Sequence, residues 1–302
     1  MSSRLVLSFA LGAALVVTAL GQQQADSKFD ARVTHPAYLT IHPKVLFDEA
    51  HNNFHTASGR YKPFVDLISN DGYQVVPNKQ KFATETLKEF QVLVIANALG
   101  SSNVDAIEAS DPAFTQPECD TVREWVRNGG ALLLIADHAP AGAAAAILSA
   151  SFGVEMSKAY TADPINFQRI ALDVSWIMYS RENKALGDHA ITRGRDESEQ
   201  INRVLSFTGQ SLKGPQGSAP ILKLSDAAYD VFDGNKPQQA KIGSAAGRLQ
   251  AVALEFGKGR VVVFGEAAML TAQEKNFGMN YPGIDNRQLA LNVMHWLTGL
   301  LK

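Results

Sequence analysis

The 302-residue chain has a single cysteine, Cys119, so no intramolecular disulfide can form and no cysteine cluster can hold zinc or an iron–sulfur centre. Neither sign of charge dominates. Lys and Arg total 28 against 30 Asp and Glu, a formal charge of −2, and no basic run interrupts the sequence. Nucleic-acid affinity comes largely from neutralising phosphates, so no nucleic-acid partner is expected. Nucleotide and flavin motifs are missing as well. Asp48-Glu49-Ala50-His51 spells a helicase-like tetrapeptide, but no G-x-x-x-x-G-K-[ST] loop accompanies it to hold phosphates, and the match is coincidence. Neither G-x-S-x-G nor H-E-x-x-H occurs, which leaves an ordinary α/β-hydrolase serine and a zincin unsupported. The chain does have apolar material, 46% of its residues, enough to bury a core.

Not all of that material belongs to the fold. Arg4 and the amino terminus are followed by an apolar run, Leu5 to Leu20, with Ala19 and Gly21 in the small-x-small pattern of a signal-peptidase site. A membrane anchor is the competing use of such a run, but a span needs about 20 mostly apolar residues, and this one includes Ser8, Gly12 and Thr18. The expectation is an export signal over residues 1–21 and a secreted or periplasmic protein with no membrane insertion once the signal is removed. Cleavage after Gly21 takes away one arginine and leaves 281 residues with a charge of −3.

Residues 22–43 are polar and irregular, with His35-Pro36 and His42-Pro43. From residue 44 the apolar pattern alternates between short continuous runs and helical spacing. Strands are expected at Lys44 to Ala50, Tyr73 to Val76, Val92 to Ala96 and Leu132 to Ala136. Helices are expected from Gly59 to Asn70 with Ser58 as cap, from Thr84 to Phe90, from Pro117 to Asn128 stopped by Gly129-Gly130, and from Ala143 to Phe152. Strand–helix alternation of this kind is the pattern of a parallel sheet covered on both faces.

The second half is β-rich and less regular. Ile170 to Tyr179, Arg203 to Phe207, Pro220 to Leu224 and Tyr229 to Phe232 read as extended segments between turns. Gln250 to Phe256 and Arg260 to Phe264 read as a hairpin about Gly257-Lys258-Gly259. A final helix, Asn286 to Leu301, carries Leu289, Val293, Trp296, Leu297 and Leu300 at core spacing. The fold class is therefore α/β: a flavodoxin-like, mostly parallel sheet with helices on both faces, a β-rich insertion at about 158–249, and a C-terminal hairpin and helix, all in one domain over 44–302.

The block Trp125-Val126-Arg127-Asn128-Gly129-Gly130-Ala131-Leu132-Leu133-Leu134-Ile135-Ala136-Asp137-His138 resembles the class I glutamine amidotransferase-like superfamily. More narrowly, it resembles the uncharacterised bacterial branch labelled DUF4350. The loop Gly187-Asp188-His189-Ala190-Ile191-Thr192-Arg193-Gly194 and the Gly257–Leu297 ending share in this likeness, which covers most of residues 44–302. The resemblance implies a flavodoxin-like sheet. In the true amidotransferases the strand matching Leu132 to Ala136 ends in a nucleophilic cysteine. This chain reads Ala136-Asp137-His138-Ala139-Pro140 there, and Cys119 sits on the preceding helix among residues that are polar in sequence. Glutamine hydrolysis through a thioester is excluded by that departure.

In a parallel sheet, ligands bind at the carboxyl ends of the strands. Those ends carry Asp48, Glu49, His51 and His55 after the first strand, Asn97 after the third, Asp137 and His138 after the fourth, and Glu266 after the last. Carboxylates and imidazoles from several strand ends form a donor set suited to zinc or manganese. On that reading His51, His55, Asp137 and His138 are ligands, Glu49 or Glu266 is a general base, and Asn97 and His189 contact substrate. A metal-free polar pocket and purely structural use of the same residues remain open on sequence alone. Asp137 also occupies the position of a nucleophile elbow, which allows a covalent aspartyl intermediate. The Asp188-His189 loop has its own bland reading, a turn held by Asp188 and Gly187. Two functions follow: an exported hydrolase, metal-assisted or not, for a small polar or carbohydrate-type substrate, or a non-catalytic module that binds a ligand or an envelope partner protein.

Overall fold

The structure, a computed structural model, describes residues 24–232 and 242–302. The expected export signal at 1–21 lies outside the described residues. Among those residues no helix is long and apolar enough to cross a membrane.

Nine strands form the central sheet: β1 (Lys44–Asp48), β2 (Gln74–Asn78), β3 (Val92–Ala96), β4 (Ala131–Ile135), β5 (Glu155–Met156), β6 (Leu212–Lys213), β7 (Ala219–Lys223), β8 (Leu249–Phe256) and β9 (Gly259–Phe264). Their order is β2-β1-β3-β4-β9-β8-β6-β5, with β7 also paired to β8. The first five in that order run parallel and the rest are antiparallel. Every residue of β3 and β4 is buried, as expected of strands covered on both faces.

Two helical layers do the covering. On one face lie α1 (Lys62–Asn70) and α7 (Asn286–Leu297), burying Phe64, Leu67, Ile68, Leu289, Val293 and Trp296. On the other lie α2 (Thr84–Leu87), α3 (Gln116–Arg127) and the short α4 (Ala141–Ala144) and α5 (Ala146–Ala150), with Leu87, Val122, Val126 and Leu148 buried. The start of α3 is fixed by a capping box between Thr115 and Glu118, with Pro117 in the first turn.

Several boundaries differ from expectation. α1 begins at Lys62, because the backbone N–H groups of Gly59 and Tyr61 both turn back to the Thr56 carbonyl, so Ser58 caps nothing. The helix expected over 143–152 breaks at Ala145 into α4 and α5. The β-rich insertion is not a separate body throughout, since β6 and β7 return to the central sheet from within it. The remainder forms two small antiparallel sheets. One pairs Tyr160–Ala162 with Tyr229–Val231 and Ile242–Ser244, and the other pairs Phe167–Gln168 and Arg203–Leu205 with Asp173–Ser180. The hairpin forms as expected, with Ala251 to Phe256 paired against Gly259 to Phe264.

Candidate functional site

Successive strand residues face opposite sides of a sheet, and this divides the strand-end residues into two groups. Phe47, Ile135 and Phe264 pack in the α1/α7 layer, whereas Leu46, Leu134 and Val263 pack in the α3 layer. Asp48, one residue beyond Phe47, therefore falls on the α3 side. Asp137 and Glu266, each two residues beyond Ile135 and Phe264, fall on the α1 side.

On the α3 side Asp48 meets His51, whose Nδ1 lies 2.9 and 2.8 Å from the two Asp48 carboxylate oxygens. The other ring nitrogen, Nε2, lies 2.9 Å from Glu118 Oε1. Glu118 is held in turn by the Thr115 N–H and hydroxyl (3.0 and 2.8 Å) and the Phe82 N–H (3.2 Å). Burial alone would raise the Glu118 carboxyl, but the hydrogen bonds from His51 and Thr115 outweigh it and bring it down to about 2. The rings of Phe82 and Phe114 close over His51, each with its centroid 4.6 Å away. With both nitrogens engaged by carboxylates, His51 has no lone pair to offer an ion.

The α1 side carries a different cluster. Asp137 follows β4 on the turn toward α4, and its N–H donates to Asn97 Oδ1 at 2.9 Å. Asn97 adopts φ 47°, a left-handed conformation that asparagine tolerates. Gln210, fully buried, donates Nε2 to the carbonyls of Ala136 and Asp137 at 2.9 Å each, fixing the turn from behind. Asp137 Oδ1 is buried with no hydrogen-bond partner among the described residues. Burial raises the Asp137 carboxyl, and the neighbouring His138 and Asn97 only partly offset this.

Glu266 is fully buried and accepts the N–H groups of Ala268 and Met269 at 2.6 and 2.8 Å. Its carboxyl stands well above the usual range, through burial first and the charge of Asp137 second. Tyr61 seals this side, donating its hydroxyl to Ala267 O at 2.8 Å. His55 packs on Tyr61 at 4.9 Å between centroids, and burial, with Arg60 nearby, depresses it to about 3, so it is neutral at physiological pH. His138 is half-buried, stacks on Tyr160 at 3.9 Å, and donates Nδ1–H to its neighbour's carbonyl, Ala139 O, at 2.8 Å.

The four-residue metal set expected from sequence is therefore not assembled. His51 lies in the α3 layer and His55 in the α1 layer, because the loop between them is not helical and crosses the end of the sheet. Among the described residues no group of three or more His, Cys, Asp and Glu side chains is placed to hold a metal ion. Glu49 is half-buried and spends Oε1 on the Ala57 N–H at 2.9 Å, bracing the same loop.

His189 lies at the opposite, amino edge, in a cavity of about 290 Å³ with Arg193, Glu255 and Trp296. Glu255 pairs with Arg260 at the start of β9, far from Glu266 at its end. His189 Nδ1 accepts the Ile191 N–H and caps α6 (Ala190–Arg193), so the turn reading of this loop is the one the contacts describe. Tyr61, Gln210 and Glu118 were not visible as site residues in sequence. Only Glu118 had a signal, its position three residues after Thr115.

Cys119 also differs from its sequence surroundings. Asp120 beside it is exposed and Glu118 is turned toward His51, while the Cys119 side chain is fully buried, in the cluster that contains Phe114, Val122 and Leu148. Burial, aided by Glu118 and Asp120, pushes the thiol up to about 11. A thiol reagent should label the native protein only at the rate of unfolding, and the full reaction should appear in denaturant. Rapid stoichiometric labelling of the native protein would contradict this placement.

No family model matches the chain, and no curated protein does. Among solved structures, the N-terminal domain of mmIFT52 superposes with a TM-score of 0.60 at 13% identity, covering 85% of this chain and 97% of that one. A ThuA-like protein from Bacteroides uniformis has a TM-score of 0.48 at 13% identity, covering 89% of this chain and 97% of the other. A GMP synthase subunit-like protein from Thermoplasma acidophilum has a TM-score of 0.42 at 12% identity, covering 84% and 93%. Strand order and parallel pairing independently define a flavodoxin-like α/β protein. Likeness at these identities speaks of fold alone.

Proposed function

We propose that the protein is an exported hydrolase acting on a small polar or carbohydrate-type substrate at the carboxyl edge of the sheet, within the DUF4350-like branch of the amidotransferase-like proteins. The observation that carries this reading is Asp137. It occupies the strand-to-helix turn where the amidotransferases place their nucleophile, locked by Asn97 and Gln210, with one carboxylate oxygen buried and unsatisfied. A buried acceptor without a partner is costly in a merely structural role, and groups with shifted titration in a strand-end crevice are candidates for acid–base work. His138, adjacent and half-buried, is the second acid–base group. Asn97 serves here as the brace of Asp137 rather than as a substrate contact, and no step of this reading uses a metal.

The test is a panel of esters, amides and glycosides offered to the protein lacking residues 1–21. Turnover that falls by at least about a hundredfold in Asp137→Ala, within the usual range for removal of a general acid or base, supports the reading. Saturable ligand binding without turnover would instead establish the second reading, a non-catalytic ligand- or partner-binding module. That alternative is favoured by the absence of any cysteine at the nucleophile turn.

A further inference from the structure

Asp137 and Glu266 end adjacent parallel strands in matched register. Ile135 pairs with Phe264, and the Ala136 N–H continues to Phe264 O at 3.0 Å. Two residues further, on the same face, come the two carboxyl groups. Neighbouring strands lie about 4.8 Å apart, so side chains leaving the same face of two matched strand ends are neighbours, and with Glu266 fully buried the ionisation of both carboxyls there is disfavoured. Their contacts are complementary. Glu266 is fixed by two backbone N–H groups, while Asp137 Oδ1 is buried with no hydrogen-bond partner at normal distance among the described residues.

We propose that Asp137 and Glu266 share a single proton, Glu266 donating it to Asp137 Oδ1, so that the carboxyl edge holds one acid and one base in a hydrogen-bonded pair. The burial that raises both groups favours this arrangement. The inference rests on reading this edge as the working site, and it adds the protonation state in which that site rests. The titratable groups facing the pair are His138 on the Asp137 turn, Tyr61 ahead of α1 with His55 behind it, and Tyr179 from the Asp173–Ser180 strand. Burial raises the Tyr61 and Tyr179 hydroxyls and lowers the His55 ring, so all three stay neutral where the pair titrates.

The sign of the pH dependence follows from the raised carboxyls. The unfolded chain loses its carboxyl protons near pH 4, whereas the folded chain keeps one. The folded-to-unfolded ratio contributed by the pair should therefore fall about tenfold per pH unit above that point, until the shared proton leaves. Asp137→Asn supplies a permanent N–H donor toward Glu266 and keeps an oxygen for the Asn97 amide. Glu266→Gln is a second variant, less clean because it gives up one backbone N–H partner.

Urea unfolding of the wild-type protein and both variants between pH 5 and 8 measures the difference. The expected result is a steeper decline in the wild type by about one proton, and one proton fewer released on unfolding by Asp137→Asn. Parallel pH profiles for wild type and Asp137→Asn, with equal proton release, would overturn the shared proton. The readout is stability rather than turnover, so the hydrolase reading can fail while the pair stands, and the pair can fail while substrates are still cleaved.

Discussion

Replacing His51 with alanine is expected to destabilise the folded protein by about 3–5 kcal/mol, the usual range when one partner of a buried ion pair is removed. Asp48 is fully buried, the Glu118 side chain is 8% exposed, and both direct an oxygen at the one ring. Alanine would leave two carboxylates in an apolar layer beneath Phe82 and Phe114 with no proton between them. The same change unties the loop after β1 from α3, since nothing else in that network joins Asp48 to Glu118. Acid should narrow the deficit. Glu118 is held down to about 2 in the native protein, so its contribution is complete above the unfolded carboxyl value of about 4.3 and is lost as pH falls toward 2. The variant keeps only the share due to the Thr115 hydrogen bonds and so has less to lose, and urea titrations of the two proteins should draw together from about pH 4.5 downward. Equal stability at pH 7 would show that His51 is dispensable and reopen it as a ligand.

A second large effect is expected at Gly187, where alanine should cost about 3 kcal/mol or prevent folding. A Cβ on Gly187 would lie 1.7 Å from the Pro220 carbonyl oxygen, a backbone atom that cannot swing aside. Relief requires separating the two segments, which breaks the 2.9 Å bond from the Gly187 N–H to Ile221 O and disturbs the adjacent Leu186–Leu222 bridge. The Thr192 hydroxyl, which donates to Gly187 O at 2.6 Å and braces α6, would be displaced with it. Asp188→Ala provides the neighbouring control. That side chain is 82% exposed and pairs only with Arg193 among the described ion pairs, so its loss should stay within about 0.5 kcal/mol. Thermal unfolding compares the three proteins, and a Gly187→Ala variant as stable as Asp188→Ala would contradict the close approach.

The parallel half of the sheet was legible in sequence because β1, β3 and β4 are short runs of Val, Leu, Ile and Phe bounded by turn residues, and runs of that kind suit only strands covered on both faces. Helix α3 was legible from its apolar spacing and the glycine pair that ends it. The carboxyl edge was legible in part, since Asp137, Glu266 and Asn97 stand where strand ends predict them. What could not be read was which strand-end side chains meet. His51 and His55 look equivalent at four-residue spacing, yet a loop turned one toward Glu118 and the other toward Tyr61. His189 was expected to contact substrate at the carboxyl edge, but Leu186 and Gly187 run antiparallel to β7 and carry the chain away from that edge, so Ala190–Arg193 sits at the amino edge.

The sequence by itself determined a covered parallel sheet, a cysteine-free nucleophile turn and the residue types gathered at one edge, because these follow from local pattern and chain order. Only the tertiary structure decided that His51 is consumed by Asp48 and Glu118, that Cys119 is sealed in the core, and that Asp137 stands beside Glu266. The physical reason is that strand register and pleat set the face on which each side chain emerges. Register across β4 and β9, separated by more than a hundred residues of chain, is fixed by packing and hydrogen bonding rather than by any local run of sequence.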